Sequence, residues 1–570
     1  MKKLFNILKE KLAPLSSKLQ SLKSILPQKK PHSEKYYKRI AFLNKYSLIF
    51  HFLLACLLIL AVETISRRDF VSAITFISNH TLAFLYNALI IFASLSLVYL
   101  TKYRTQMRIL ISGLWIFLGT VNGLILSNRV TPFSYTDLKC LPDLFAMQNT
   151  NYFTAEEATM VVSVVVAFFV ILGLLFAKGP RYQGKRHTVL GPVSIAALIL
   201  IGLPITTQAA QSSNILASYF ANIAQGYSDY GFVYGFSTSV VGRGMDKPED
   251  YSEETVDAIN TLVDSASSPT TVSTGSEPNV ICVLLESFCD PYEVNFLNMS
   301  EDPIPNFHNL EANYSTGYLT VPVVGAGTAN TEFEVLTGMS MQYFGTGEYP
   351  YKTILKQTDC ESIADDLSQI GYGTHVVHNN TATFYSRNNA FSMMGFDTFT
   401  SKECMNISQY TPNGNWPTDD VLVQETVKAM NATENQSDFV YTITVEGHGD
   451  YPTEKLLENP DILVSGAADE ASNNQWEYYV NMIHEVDDFI GDLITAVDRR
   501  GEDTIIVFFG DHLPTMGLTD ADMKSGDIFK TKYITWNNMG LAKKDADLTA
   551  YQLLAHITDQ AGIHEGTMFR

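Results

Sequence analysis

Two strand-like runs in this sequence end on residues that can bind a metal ion. The apolar run Thr504–Phe509 is followed, after one glycine, by Asp511 and His512. Far upstream, the apolar run Asn279–Leu285 is followed directly by Glu286. Because the carboxyl ends of parallel strands meet at one crevice, we expect these two carboxylates and the imidazole to lie close together.

A third candidate, Thr328, lies in the glycine-rich segment Gly325–Phe333, which opens a helix-like stretch. A threonine hydroxyl is a poor nucleophile at neutral pH, so it needs a base or a cation that stabilises its alkoxide. With Glu286, Asp511 and His512 it forms a mixed oxygen and nitrogen ligand set that suits Mn²⁺, Mg²⁺ or Zn²⁺. Taken singly, Glu286 and Thr328 are better explained by helix capping or loop solvation. Together the four residues predict metal-assisted attack by Thr328 on a phosphoryl group.

A phosphoryl group at such a site needs donors for its remaining oxygens. His448 follows the strand-like run Phe439–Val445, and Arg387 lies in a loop-like segment upstream of it. A helix that begins near Thr328 would add free backbone N–H groups and a partial positive charge. The alternatives for His448 and Arg387 are a loop histidine and a solvated arginine, and the residue pattern leaves both open.

From Asn279 onward, apolar runs alternate with amphipathic stretches, which is typical of a largely parallel sheet covered by helices on both faces. The predicted strands are Val280–Leu285, Thr374–His378, Phe439–Val445, Thr504–Phe509 and Lys532–Trp536. The predicted helices are Thr331–Thr337, Cys360–Ile370, Asp419–Met430, Trp476–Arg499 and Leu548–Ile557.

The first part of the chain has a different character. Residues 1–210 contain 23 Lys and Arg against 8 Asp and Glu, whereas the remainder contains 16 against 52. The basic part carries five apolar stretches that approach the ~20 residues needed to cross a bilayer. They are Tyr46–Glu63, Thr81–Leu100, Ile109–Leu126, Met160–Ala177 and Val189–Ile205.

The cations between these stretches predict the orientation. Residues 1–45 hold twelve Lys and Arg, and the loops Lys102–Arg108 and Lys178–Arg186 add three and four. Five spans put all three groups on one side, which should be cytoplasmic. We therefore expect a basic cytoplasmic leader (1–45), an α-helical five-span membrane domain (46–210), an extracellular linker (211–277) and an extracellular α/β domain (278–570). Thr207-Gln208-Ala209 is also compatible with a cleavage site.

The six cysteines have no spacing typical of a metal site. Cys360 and Cys404 both fall in the predicted extracellular domain, where a disulfide can form, but the sequence does not decide whether they pair. Free or incidental cysteines are the simpler interpretation.

These motifs resemble the lipoteichoic acid synthase family, polytopic members of the alkaline phosphatase/sulfatase superfamily. The resemblance is carried by Leu285-Glu286-Ser287, Thr328 with Thr331-Glu332-Phe333, Phe384-Tyr385-Ser386-Arg387 and Gly510-Asp511-His512-Leu513-Pro514. It implies that Glu286, Thr328, Asp511 and His512 bind one Mn²⁺ and that Thr328 is transiently glycerophosphorylated. It also implies that His448 and Arg387 contact the glycerophosphate group, with His378 and Tyr385 lining the same pocket.

The chain departs from the family pattern near this pocket. Asn380 stands where an acidic residue is usual, and Tyr385 stands where a Trp is usual. Glu446 and Gly447 precede His448 instead of a Ser or Thr followed by Asn. These positions leave the acceptor open.

The expected function is transfer of glycerol phosphate from phosphatidylglycerol to a glycolipid or polymer, with release of diacylglycerol, at the outer face of a bacterial cell membrane. No nucleic-acid partner is expected. The alternatives are a phosphoethanolamine or phosphoglycerol transferase that decorates a lipid or glycan without polymerising, and a catalytically silent membrane sensor that kept the fold.

Overall fold

A computed structural model describes most of the chain from Ser33 onward. The described residues are 33–569 without 127–129, 147–154, 180, 183–186, 214, 218–219, 221–222, 243, 246, 249, 266–276, 415, 434 and 565–568. Most of the predicted basic leader and the end of the predicted linker therefore lie outside the described residues.

Each predicted apolar stretch near the start of the chain forms a long helix. These helices are α2 (Ser47–Ser66), α4 (Thr81–Ser96, continued by a 3-10 turn to Leu100), α5 (Arg104–Ile125), α7 (Ala155–Lys178) and α8 (His187–Ser212). Among the described residues, the first three are long and apolar enough to cross a membrane. The α-helical membrane region is confirmed, and the number of five spans stays a prediction. Two shorter helices belong to the same region, α3 (Phe70–Asn79) and α6 (Asp137–Ala146), and a further helix, α1 (Glu34–Lys45), ends the predicted leader.

The predicted linker contains three helices: α9 (Ile223–Tyr230), α10 (Phe232–Val241) and α11 (Glu253–Ser265). The first two pack against the membrane helices through buried polar contacts. The backbone N–H of Phe232 donates to Glu63 Oε1 over 2.8 Å, and that of Tyr234 donates to Asn87 Oδ1 over 2.6 Å. Since unpaired helix N–H groups must find acceptors, these two side chains fix where α10 begins.

An eight-stranded sheet forms the C-terminal domain. Its strands are β1 (Asn279–Leu285), β3 (Thr316–Thr320), β4 (Gly373–His378), β5 (Thr398–Ser401), β6 (Asp438–Ile443), β8 (Thr504–Gly510), β9 (Lys530–Asn537) and β10 (Leu548–Thr549). The spatial order is β10-β3-β9-β8-β1-β6-β4-β5. Only β9 runs antiparallel to its two neighbours. A short antiparallel pair, β2 (Asn298–Met299) and β7 (Val464–Ser465), lies outside this sheet.

The helices of this domain are α12 (Pro305–Asn313), α13 (Thr328–Thr337), α14 (Ile363–Gln369), α15 (Arg387–Met393), α16 (Val421–Met430), α17 (Glu470–Asp498) and α18 (Leu553–Ala561). Two hydrophobic cores cover opposite faces of the sheet, because successive side chains of β1 alternate between them. Ile281 and Val283 belong to one core, and Val280 and Cys282 belong to the other. The largely parallel α/β domain predicted from the sequence is confirmed.

The prediction of a helix from Leu548 was wrong at its start. Leu548 and Thr549 pair with β3, and α18 begins only at Leu553. The Thr549 hydroxyl donates to Gln552 Oε1 over 2.8 Å, which fixes a tight 3-10 turn between the strand and the helix. Cys360 and Cys404, whose pairing the sequence left open, are free thiols in this structure.

Candidate active site and metal centre

The site begins where two neighbouring strands end. β1 and β8 are parallel, and Leu285 pairs with Gly510, the last residue of each strand. The next residues, Glu286 and Asp511, are therefore neighbours at the carboxyl edge of the sheet. The backbone N–H groups of Ser287 and His512 donate to Asp511 Oδ1 over 2.8 and 2.9 Å, which fixes that carboxylate.

The structure brings together the two carboxylates and the imidazole that the sequence predicted to lie close to one another. One ligand atom each of Glu286, Asp511 and His512 lies within 4.8 Å of the others, and all three side chains are buried. His512 Nε2 lies 3.7 Å from Glu286 Oε1 and 3.3 Å from Asp511 Oδ2. The other ring nitrogen, Nδ1, lies 3.0 Å from the carbonyl oxygen of Leu513. Because a carbonyl only accepts, Nδ1 donates to it, and Nε2 is the ring nitrogen that faces the carboxylates and could bind a metal ion.

Such an arrangement needs a positive charge between its members. Among the described residues, no Lys or Arg forms an ion pair with Glu286 or Asp511, and Asp511 Oδ2 is buried without a hydrogen-bond donor. Burial, and then the neighbouring Glu286, raise the pKa of Asp511 to about 7. Two carboxylates and an imidazole nitrogen in one small space fit a divalent cation.

Thr328 reaches this group from the first position of α13. Its Oγ1 donates to Glu286 Oε2 over 3.1 Å and lies 3.5 Å from His512 Nε2. The preceding residue, Gly327, has φ of +104°, a conformation that favours glycine. The Thr331 hydroxyl donates to the carbonyl oxygen of Asp511 over 2.9 Å, which anchors the helix to the end of β8. The structure thus places the predicted nucleophile against the predicted ligands.

Arg387 is buried beside this site and held by a partner that our sequence reasoning gave no role. Its Nη2 donates to Glu332 Oε1 over 2.6 Å, and its Nη1 lies 3.2 Å from His378 Nε2. Although burial works against the charge, the Glu332 carboxylate raises the pKa of Arg387 above its ordinary range. The solvated-arginine alternative is therefore wrong. Glu332 follows the predicted nucleophile Thr328 by four residues on α13. Because residues four apart lie on the same face of a helix, this spacing is the sequence signal that would have placed Glu332 near Thr328.

His378 is neutral in this arrangement. Its Nδ1 donates to the carbonyl oxygen of Ile443 over 2.9 Å, so its Nε2 accepts from Arg387. Burial, and then the charge of Arg387, hold the pKa of His378 well below its usual range. Tyr385 lies above the guanidinium, 5.3 Å from ring centroid to Cζ, and contributes a cation–π contact.

His448 lies at the end of the β6 segment, as its position in the sequence predicted. Its ring packs at 4.3 Å from the ring of Trp416, and its Nδ1 is covered without a hydrogen-bond partner in the described structure. Burial lowers the pKa of His448, so the neutral imidazole is favoured. Gly447 is required here, because a Cβ would lie 2.4 Å from the carbonyl oxygen of Glu286.

A further residue that the sequence reasoning missed, Asp419, ties together the two strand ends that carry His378 and His448. Its Oδ1 accepts from the backbone N–H of Val445 over 2.9 Å and from Asn379 Nδ2 over 2.8 Å. Burial raises the pKa of Asp419 to about 7. No local pattern identifies this residue, since its partners are distant in sequence.

The Sulfatase family model matches residues 278–563, just over half of the 570 residues. The chain therefore belongs to the sulfatase family, in the alkaline phosphatase superfamily, and described helices long and apolar enough to cross a membrane precede the family domain.

Two curated relatives extend this comparison. One is a putative cyclic beta-1,2-glucan modification protein of Rhizobium meliloti, 28% identical over 354 residues that cover 59% of this chain and 53% of the relative. The other is a lipoteichoic acid synthase of Staphylococcus saprophyticus, 23% identical over 242 residues that cover 41% of this chain and 35% of the relative. The chain thus spans about half or less of the length of these relatives.

Among solved structures, this fold is similar to the Streptococcus pyogenes phosphoglycerol transferase GacH in complex with sn-glycerol-1-phosphate. The TM-score is 0.50 at 22% identity, over 56% of this chain and 84% of that protein. At this identity the likeness establishes the shared fold.

Proposed function

We propose that this protein is a membrane-bound phosphoglycerol transferase. It moves glycerol phosphate from phosphatidylglycerol to lipoteichoic acid or a related cell-envelope glycopolymer, through an intermediate on Thr328, and releases diacylglycerol. The observation that carries the proposal is the position of Thr328 Oγ1, 3.1 Å from Glu286 Oε2 and 3.5 Å from His512 Nε2. An inert scaffold has no need for a buried hydroxyl against a set of metal-binding groups, which argues against a silent sensor.

Glu286, Asp511, His512 and Thr328 would hold the cation. Mn²⁺ is our first choice, and Mg²⁺ or Zn²⁺ would also suit the ligand set. When bound, such an ion stabilises the threonine alkoxide and neutralises charge on the phosphoryl oxygens.

In the first half-reaction, Thr328 Oγ attacks the phosphorus of the phosphodiester. Glu286 Oε2 accepts the hydrogen bond of the Thr328 hydroxyl, so the proton has an acceptor as the oxygen bonds to phosphorus. The bond from phosphorus to the diacylglycerol oxygen breaks. The proton that Thr328 loses ends on diacylglycerol, which leaves the site.

In the second half-reaction, a hydroxyl of the acceptor attacks the same phosphorus. The bond from phosphorus to Thr328 Oγ breaks, and the proton of the acceptor hydroxyl ends on Thr328. The energy of one phosphodiester is thus conserved in another. No nucleotide is needed, which suits a site on the outer face of a bacterial membrane.

We assign the binding of the glycerophosphate group to the residues around the guanidinium. Arg387 supplies a charge held by Glu332, and His448 supplies a neutral ring at the end of the β6 segment. His378 and Tyr385 complete this pocket, His378 through Nε2 and Tyr385 through its ring over Arg387. A fixed guanidinium suits phosphate oxygens, because it loses little conformational freedom on binding.

The experiment that tests the proposal compares the full-length protein with Thr328→Ala. Purified protein in phosphatidylglycerol vesicles with Mn²⁺ should release diacylglycerol and gain a glycerophosphoryl group on Thr328, detected by peptide mass spectrometry. The variant should do neither. A stable adduct on another residue, or equal release by the variant, would overturn the assignment of the nucleophile.

A second candidate has a specific observation in its favour. The relative with the higher identity is named for glucan modification, which supports single transfers onto a glycan instead of polymerisation. Analysing product length with a glycan acceptor separates the two: a ladder of products favours polymerisation, and one added group favours decoration. Replacing the donor with phosphatidylethanolamine distinguishes the phosphoethanolamine alternative.

A further inference from the structure

A cavity of about 220 Å³ lies beside the nucleophile helix and takes no part in the chemistry described above. Its walls come from the loop after α5 and the start of α6, from residues just before and at the start of α9, and from the C-terminal domain between Thr320 and Tyr349 and at Thr549 and Tyr551. The cavity therefore lies where the membrane region meets the catalytic domain. Its volume is below the ~300–1,000 Å³ of pockets that enclose drug-sized ligands, and it suits one small polar unit.

This cavity shares a wall with the active site. Val323 and Tyr349 line it, and both pack against Gly327, because a Cβ there would lie 3.0 Å from Val323 and 3.4 Å from the Tyr349 hydroxyl. The Tyr349 ring stacks on Tyr385, with centroids 5.7 Å apart. Asn330, two residues beyond Thr328 on the same helix, also lines the cavity. The cavity and the active site therefore lie on either side of the turn that carries Gly327.

The charges of the described lining disfavour a second phosphate. Asp137, Glu334 and Glu348 line the cavity, and none of the described residues that line it is Lys, Arg or His. Glu348 Oε2 is already engaged by the backbone N–H groups of Gly244 and Gly345. Since the described part of the lining carries carboxylates and no cationic side chain, it repels an anionic group.

The same lining suits hydroxyl groups. Glu334 Oε1 accepts from the backbone N–H of Met341 over 2.7 Å, and burial raises the pKa of Glu334 to about 7, so this carboxyl can be neutral. Gln342 adds an amide that donates and accepts, and Tyr551 adds a half-buried phenol ring. Apolar surface with a few polar groups that fix orientation is typical of a small-molecule site.

We propose that this cavity binds a neutral sugar unit of the acceptor. This unit is adjacent to the one whose hydroxyl attacks the phosphorus of glycerophosphorylated Thr328. The inference rests on the proposed function and extends it, because it makes the acceptor a glycan.

Binding and transfer are measured separately so that the two proposals can fail independently. Full-length Thr328→Ala protein, which cannot turn over, is titrated with a β-1,2-linked glucose disaccharide and monitored by saturation-transfer NMR. The variants Tyr551→Ala and Gln342→Ala are then made in this protein. The matched control is Tyr343→Ala, an exposed tyrosine next to Gln342 that does not line the cavity.

Each cavity variant should weaken disaccharide binding by about 10-fold, the effect of losing one good polar or ring contact. Tyr343→Ala should bind normally. In the background with Thr328 intact, the cavity variants should raise the KM for the disaccharide and leave diacylglycerol release in its absence unchanged.

Equal binding by the cavity and control variants would overturn the assignment of the cavity, even if donor cleavage is normal. Saturation transfer to choline but not to the disaccharide would identify a cation site. That result would also overturn the assignment of the cavity to a sugar. If the native protein releases no diacylglycerol, the proposed function fails, and the NMR titration still decides whether a sugar binds here.

Discussion

Two acid-rich groups in the C-terminal domain meet the same electrostatic problem in different ways. In the first, Glu286 and Asp511 face His512, and no Lys or Arg of the described residues forms an ion pair with them. In the second, Lys532 Nζ lies 2.9 Å from Asp290, 3.2 Å from Glu293 and 3.1 Å from Glu311. Clustered carboxylates repel one another unless a positive charge lies between them. In the second group Lys532 supplies that charge, whereas the first group fits a bound metal ion. The comparison separates a structural ion cluster from a candidate metal site.

The largest effect should come from Asp511→Asn. The variant loses a charged ligand, so Mn²⁺ affinity should fall by more than the roughly 10–100-fold that loss of an outer hydrogen-bond partner costs. Mn²⁺ binding is measured by electron paramagnetic resonance on the purified protein, and transfer activity should be lost in parallel. The comparable variant in the other cluster, Asp290→Asn, should leave Mn²⁺ affinity unchanged. Equal effects of the two variants would erase the distinction between the clusters.

Lys532→Met should destabilise the domain without affecting the metal site. Breaking a buried ion pair costs about 3–5 kcal/mol of unfolding free energy. The loss for Lys532→Met should be smaller than this, because Glu311 remains partly exposed to water. A lower midpoint in urea unfolding, with native Mn²⁺ affinity at low urea, is the expected outcome. Lys543→Met, in a more exposed ion pair with Asp545, is the control and should change the midpoint little.

The smallest effect concerns pH and His308, which lies 3.4 Å from Asp290 and 2.8 Å from Asp302. Burial opposes its charge, but hydrogen bonds to these carboxylates outweigh burial and raise the pKa of His308 from 6.5 to about 9. A raised pKa means that the stabilisation is complete below pH 6.5 and is lost as the pH rises through about 9. Thermal unfolding of the native protein should show this loss, and His308→Gln should flatten it between those values. An unchanged pH profile in the variant would show that this imidazole is not the group responsible.

Much of the fold was predictable because burial leaves a local pattern. The central strands β1, β4, β6 and β8 are buried on both faces and appear as continuous apolar runs, which the sequence analysis placed within two residues of their ends. The outer strand β3 was missed. Its sequence, Thr-Gly-Tyr-Leu-Thr, is polar and only partly buried, so it has no apolar run to detect.

The residues of the candidate site also differ in whether a local sequence pattern predicts them. Glu286, Asp511 and His512 were found because they follow buried strands, and Thr328 because a glycine-rich turn opens its helix. Partners that depend on contacts between distant segments were not found. Glu332 is 55 residues from Arg387, and Asp419 is 26 residues from Val445.

The sequence by itself determined the apolar helices, the parallel core and the residue types at the strand ends, because each depends on the hydrophobicity or conformational preference of adjacent residues. Only the tertiary structure decided that Arg387 is buried against Glu332 and that a cavity with carboxylates in its described lining packs against the turn at Gly327. Those features depend on which segments pack together, and the interactions that decide it act between residues far apart along the chain.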